Sequence, residues 1–218
     1  MNKQRGLELF LWILSVFFAS QIYSSINGPI KFNKVKNERY AIVIDRLKDI
    51  RNAQIAHKDV KGYYANNFDE LVSFVDNGLF TLIEEKDSSY LAYDRIYRID
   101  MLREVRIVRE LGKVSVKDSL FKDNDSYKQM AFIPIKGKED EKFSISADII
   151  DKNGYEAHVF EVKVKKDVIL YDQNKDLLKQ ENKVISVDGV NGSEIVLGSM
   201  TQVSTSGNWP TIFDANKK

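Results

Sequence analysis

The chain has 218 residues, 30% of them charged and 43% hydrophobic, which is the composition of a globular protein rather than a disordered one. Its 33 basic and 32 acidic residues nearly cancel, so the surplus of Lys and Arg that binding to nucleic-acid phosphates requires is missing. The absence of cysteine excludes disulfides, thiolate metal sites, cysteine nucleophiles and a lipid-bearing cysteine, and two histidines, His57 and His158, offer little to an imidazole metal site.

Met1 to Glu8 is a polar tail carrying Lys3 and Arg5. Leu9 to Ile26 follows without a charged residue. As a helix this run measures about 27 Å, near the thickness of a bilayer's hydrocarbon. Trp12 and Tyr23 suit the two interfaces. Three readings stand side by side: a cleaved signal peptide, a buried core helix and an uncleaved signal anchor. A cleavage site ending at Ala19 or Ser20 would put bulky Phe17 or Phe18 at the −3 position. A core helix would show a polar face, and none occurs before Ser20. The anchor reading therefore leads, with a transmembrane helix over residues 9–27. Lys3, Arg5 and the α-amine favour a cytoplasmic N-terminus, although Lys31, Lys34, Lys36 and Arg39 argue the other way. A short tail followed by a long translocated domain places the bulk of the chain in the periplasm, at a bacterial inner membrane.

Residues 28–78 read as a helical stem and hairpin. Gly28-Pro29 is expected to break or kink the chain, with Pro29 in the first turn of a new helix. Ile30 to Val60 contains no Gly or Pro. Val43, Leu47, Ile50, Gln54 and His57 follow one another at spacings of 4, 3, 4 and 3, and Tyr40 and Ile44 widen the stripe. His57 continues this stripe and reads as a packed, hydrogen-bonded core residue. Lys61-Gly62 closes the helix. A second helix is predicted over Phe68–Asp76, capped by Asn67, with Asp69 and Glu70 in its first turn and Asn77-Gly78 as its stop. Its apolar face, Leu71, Phe74 and Val75, is expected to pack on the end of the long helix.

The residues Ile50, Arg51, Ala53, Gln54, His57, Gly62, Tyr64, Glu70 and Leu71, within Asp45–Gly78, carry a resemblance to type IV pilins and type II secretion pseudopilins. The resemblance covers about the first third of the chain, counting the preceding apolar helix. It implies a subunit of an envelope machine that assembles through its stem. One departure is that Gly6 follows Arg5 as a pilin leader would end, yet the acidic residue comes early, at Glu8. Over more of its length the chain is also similar to single-pass bacterial envelope proteins.

Residues 79–204 read as an α+β domain, mostly antiparallel β. Leu79–Ile83 suits a strand. In Tyr90–Leu111 the residues Ile96, Ile99, Leu102, Val105, Val108 and Leu111 step by three and favour a helix, whereas the β-branched run Val105–Arg109 also fits a strand. Arg95, Arg98, Arg103, Arg106 and Arg109 interleave with Asp94, Asp100, Glu104 and Glu110, which points to a solvated, ion-paired face rather than an anion site. Strands are predicted at Met130–Ile135 (an edge, from Pro134), Phe143–Ile149, Tyr155–Val164, Val168–Tyr171 and Glu194–Met200. Asp151-Lys152-Asn153-Gly154 suits a hairpin turn, Asp176–Asn182 a short helix. His158 shares a strand face with Phe160, Val162 and Val164 and reads as sheet packing. Residues 205–218 are expected to be frayed, apart from a docked Trp209.

No catalytic, cofactor-binding or metal-binding constellation emerges. Gly189-Val190-Asn191-Gly192 lacks the lysine of a phosphate loop. Asp123-Asn124-Asp125 and Asp151-Lys152-Asn153 lack the downstream Glu of a calcium loop and read as turns. Ser119 and Ser204 have no neighbouring histidine. Glu84-Glu85 and Glu139-Asp140-Glu141 read as solvated charged turns. The expected function is a non-enzymatic, membrane-anchored assembly or scaffold protein, with the membrane and protein partners or other copies through the stem helix as its contacts, no nucleic acid and no cofactor. The alternative is a membrane-tethered ligand-binding or sensory module. An enzyme ranks third.

The anchor reading has a direct check. The protein should resist carbonate extraction and keep Met1 as its N-terminal residue. An N-terminal sequence starting at Ser20 or Gln21 would replace the anchor with a cleaved signal.

Overall fold

The computed structural model describes residues 3–214 except 123 and 153, and omits the side chains of residues 3–6 and 9 as well. The fold is α+β: a long N-terminal helix, a short helix, then antiparallel sheets. The predicted turn at Asn153 and the turn at Asp123 fall in part outside the described residues, as does the end of the predicted frayed tail. The chain divides into two compact units, Met1–Lys48 with Ala131–Lys218, and Asp49–Met130.

Helix α1 runs from Lys3 to Lys61 as one element of 59 residues. The expected break at Gly28-Pro29 is not there, and Pro29 lies inside the helix. Proline removes one i→i−4 hydrogen bond and crowds the preceding turn, but fixes φ at a helical value, so a helix whose later turns are held by packing can carry it. The window that makes α1 long and apolar enough to cross a membrane, by length and composition, has none of its residues buried within the chain. Further along, Tyr40, Val43, Ile44, Leu47 and Ile50 form one stripe, and that stripe is buried, whereas Ile42, Ile55 and Val60 lie off it and are exposed.

In the first unit the stripe contributes Tyr40, Val43, Ile44 and Leu47 to the core. The sheet of this unit has the order β3–β4–β5, with β3 at Ser144–Lys152, β4 at Tyr155–Lys165 and β5 at Glu194–Gly198. All pairs are antiparallel, and Ile145, Val162 and Leu197 stand side by side across the strands. Phe160, Val162, Ile195 and Leu197 are fully buried. Each such side chain contributes roughly 1.5–3 kcal/mol by leaving water. Gly198 ends β5 at φ +78°, with its α-carbon against the Phe160 carbonyl, so any side chain there would be both strained and blocked. Trp209 docks as expected and is 7% exposed.

Two short predicted strands are replaced. Val168–Tyr171 falls in and after a single helical turn, α4, at Lys166–Ile169, because Leu170 N donates back to the Lys166 carbonyl. Met130–Ile135 forms only an isolated bridge, Phe132 to Lys142, since Pro134 cannot donate to a ladder. The predicted helix over Asp176–Asn182 is α5, Lys175–Glu181, capped by the Asn174 side chain on the Asp176 and Leu177 amides.

In the second unit α2, Phe68–Asn77, is capped by Asn67 as expected, and buries Phe68, Leu71, Phe74 and Val75. The His57 and Phe74 rings meet edge to face at 4.8 Å, so α2 does pack on the end of α1. The region where a period of three favoured a helix and a β-branched run also fitted a strand is a ribbon. Strand β1, Leu79–Asp94, pairs antiparallel with β2, Ile99–Ser115, through a turn at Arg95–Arg98 and with a bulge between Leu82 and Ile83. A period of three survives by coincidence in a ribbon exposed on both sides, where no buried face enforces alternation. Beyond it, α3 at Val116–Leu120 is capped by Ser115.

Leu47 is fully buried. The variant Leu47→Asp should lose at least about 3 kcal/mol of unfolding free energy, because a charge enters an apolar site without a partner. Urea unfolding of the full chain in detergent, followed by tryptophan fluorescence, measures this. An unchanged midpoint would show that position 47 is not a packing site.

Candidate functional site

Within the first unit, the chemistry converges on Glu181 at the end of α5. Lys166, the first residue of α4, is fully buried. Its Nζ donates to the Glu181 carbonyl at 2.9 Å, to Glu181 Oε1 at 3.1 Å and to the Val190 carbonyl at 2.8 Å. All three ammonium protons are thus matched. The same carboxylate accepts from the Tyr40 hydroxyl at 3.3 Å and, at Oε2, from Lys36 Nζ at 3.0 Å. Burial pushes the Lys166 ammonium below its ordinary range, and the adjacent Glu181 carboxylate pulls it part of the way back. This cluster ties one face of α1 to α4, α5 and the loop at Val190. A second tie lies nearby in the same unit. Arg39 grips Asp172 with two hydrogen bonds of 2.6 and 2.8 Å and donates to the Ile169 carbonyl at 2.8 Å. The guanidinium holds the Asp172 carboxyl at about 2.

A cavity of about 300 Å³ opens beside Glu181, lined by Lys36, Tyr40, Asp188, Val190 and Phe213 among others. It is large enough for a small ligand. Its central charged groups already satisfy one another, so a ligand would have to displace an existing ion pair or settle for Asp188 and the apolar wall.

In the second unit the residues that carry the pilin resemblance hold the loop after α1. Gln54 is fully buried and pairs with both backbone groups of Ala65, donating at 2.8 Å and accepting at 2.9 Å. A glutamine used this way replaces a strand partner for one residue. His57 Nδ1 lies 2.7 Å from the Tyr63 carbonyl, which can only accept, so that nitrogen carries the proton. Its Nε2 lies 3.5 Å from Glu70 Oε1, an oxygen that also accepts from the Tyr63 hydroxyl at 3.1 Å. His57 is therefore a packed, hydrogen-bonded residue, as the stripe suggested.

The other candidates are dispersed. His158 is half-buried on β4, opposite Ile149. Ser119 is exposed on α3, and the Ser204 hydroxyl accepts from the Ser206 amide. Asp125 is held by Lys117 at 3.1 Å and Lys128 at 3.3 Å, and Asp151 accepts from the Gly154 amide as a turn residue. Glu139 caps the Gly137 amide, Glu141 pairs with Lys138, and Asp140 is exposed. Glu84 is exposed on the ribbon, where Glu85 lies 3.7 Å from Arg106. Among the described residues no three His, Asp or Glu side chains come together in a way that could hold a metal ion. Sequence reasoning missed Lys166 and Glu181. A signal existed for Lys166, which has the parity of the inward Val162 and Val164.

Compared with family models, with curated proteins and with solved structures, the chain matches none.

The Glu181 cluster predicts strong coupling. Lys166→Met should cost about 3 kcal/mol, since it strips two carbonyls and a buried carboxylate of their donor. Lys166→Met with Glu181→Leu should cost less than the sum of the two single variants by at least about 1 kcal/mol in a urea double-mutant cycle. Strict additivity would show that the two groups do not share one buried network.

Proposed function

We propose that this protein is a non-enzymatic assembly subunit anchored in a bacterial inner membrane by residues 9–27, with the bulk of the chain in the periplasm. The observation that carries the reading is the distribution of uncovered apolar surface. It lies along the apolar N-terminal helix and along both faces of the β1–β2 ribbon, where Leu91 on one face is 69% and Ile107 on the other is 51% exposed. Surfaces of this kind are interaction surfaces more often than they are solvent surfaces. The polar networks, by contrast, close on themselves: Lys166 with Glu181, Gln54 with Ala65, His57 with Tyr63. They serve packing. The pilin-like residues of Asp45–Gly78 support a place in a pilin- or secretion-type machine.

A membrane-tethered ligand-binding module is the second reading, favoured by the cavity beside Glu181. Chemical crosslinking in intact membranes separates the two. The assembly reading expects stoichiometric complexes, with itself or with neighbours, that fall off when residues 1–27 are replaced by a cleaved signal, because tethering raises effective concentration. A chain that stays uncrosslinked in membranes, yet gains thermal stability with a small molecule and loses that gain in Asp188→Asn, would overturn the assembly reading in favour of the module.

A further inference from the structure

Antiparallel pairing places directly opposed residues on the same face of a ribbon, and successive pairs alternate between its two faces. Beyond the bulge, one face of β1–β2 carries Glu85, Asp87, Asp100, Glu104 and Glu110 against the single cation Arg106. The opposite face carries Lys86, Arg103 and Arg109 against Glu84 and Asp94. The ion pairs that form respect this division. Arg106 lies 3.7 Å from both Glu85 and Asp87 on the acidic face, and Arg103 lies 3.8 Å from Asp94 on the other. Among the described residues Asp100, Glu104 and Glu110 make no ion pair, and neither do Lys86 and Arg109. Among the described residues Glu84 on the second face makes no ion pair either, so the unspent charges are anionic on one face and, two cations against one anion, cationic in balance on the other.

We propose that the acidic face of one ribbon binds the basic face of the ribbon in a second copy of this chain. The inference rests on the assembly reading and names the partner. Both faces carry the apolar groups such a contact would bury: Leu91, Leu102 and Val108 on the acidic one, Val105, Ile107 and Met101 on the basic one, all at least 40% exposed. A face of a ribbon whose first strand has 16 residues offers roughly 500 Å² per partner, or about 1,000 Å² in all, which reaches the lower bound for a specific interface. A nucleic acid or an anionic bilayer would be repelled by one face, and a uniformly basic partner by the other. Two different faces of the same element meeting make a heterologous contact, which adds copies in line instead of closing on a pair.

The chain's lack of cysteine allows a direct test with the full protein in detergent. Ser88 and Ser89 sit mid-ribbon on the basic and acidic faces respectively. A mixture of Ser88→Cys and Ser89→Cys chains should crosslink with a short bis-maleimide at least 10-fold more than either variant alone. Association through the membrane helix would not select those positions. In sedimentation, Lys86→Glu with Arg109→Glu should weaken association at least 10-fold, as should Glu104→Lys with Glu110→Lys. Mixing the two reversed chains, or combining all four changes in one chain, should restore it. Equal crosslinking by Ser88→Cys alone, or a wild-type chain that is monomeric at every concentration, would overturn the proposal. If the purified chain is monomeric while membrane crosslinks to other proteins persist, self-pairing fails and the assembly reading survives; loss of all membrane crosslinks would sink the assembly reading itself.

Discussion

Helix α1 carries two different surfaces on one continuous hydrogen-bonded rod, and most of the molecule follows from where one gives way to the other. From Phe10 to Ile26 its side chains carry no charge, and none of them is buried by the rest of the chain. Beyond Phe32 most of the apolar residues gather into a stripe, and the stripe is buried. Because a helix transmits direction rigidly, the first part fixes where the rest begins. Pro29 lies near the changeover without ending the helix. A proline costs a hydrogen bond, but a helix whose later turns are locked by packing keeps the strained turn helical.

The buried polar groups explain how that stripe is held. Tyr40, Lys36 and Arg39 project from neighbouring turns and reach Glu181, Asp172 and the Ile169 carbonyl. None of these contacts is worth much where solvent reaches it. The Lys166–Glu181 pair is different, since both members are buried and an unmatched charge there would cost several kcal/mol. Such networks set which face of the helix points inward more than they add stability.

The ribbon obeys the opposite logic. Two strands alone have no core, and an isolated hairpin is marginal in water. Here β1 and β2 are long, exposed on both faces and open at both edges. Such an element persists where cross-strand pairs and its connection to α2 and α3 support it, and it invites a partner because its backbone and its apolar side chains are both available.

Local patterns were legible from the sequence wherever one face is buried against water. The stripe through Tyr40, Leu47, Gln54 and His57 and the alternation in β4 place residues by a period that burial enforces, and the Asn67 cap is placed by a local hydrogen bond from the Glu70 amide. The apolar run from Leu9 to Ile26 likewise fixed a helix by composition alone. Tertiary structure decided the rest. The Tyr90–Leu111 period suggested a helix, because an element wet on both sides leaves no alternation to read. Glu181 reads as an ordinary helix-end acid until folding brings Lys36, Tyr40 and Lys166 to it from distant parts of the chain. Whether Gly28-Pro29 breaks a helix depends on packing energies that lie many residues away. Local sequence sets the preferences of each turn and strand, whereas long-range burial selects which of those preferences is kept.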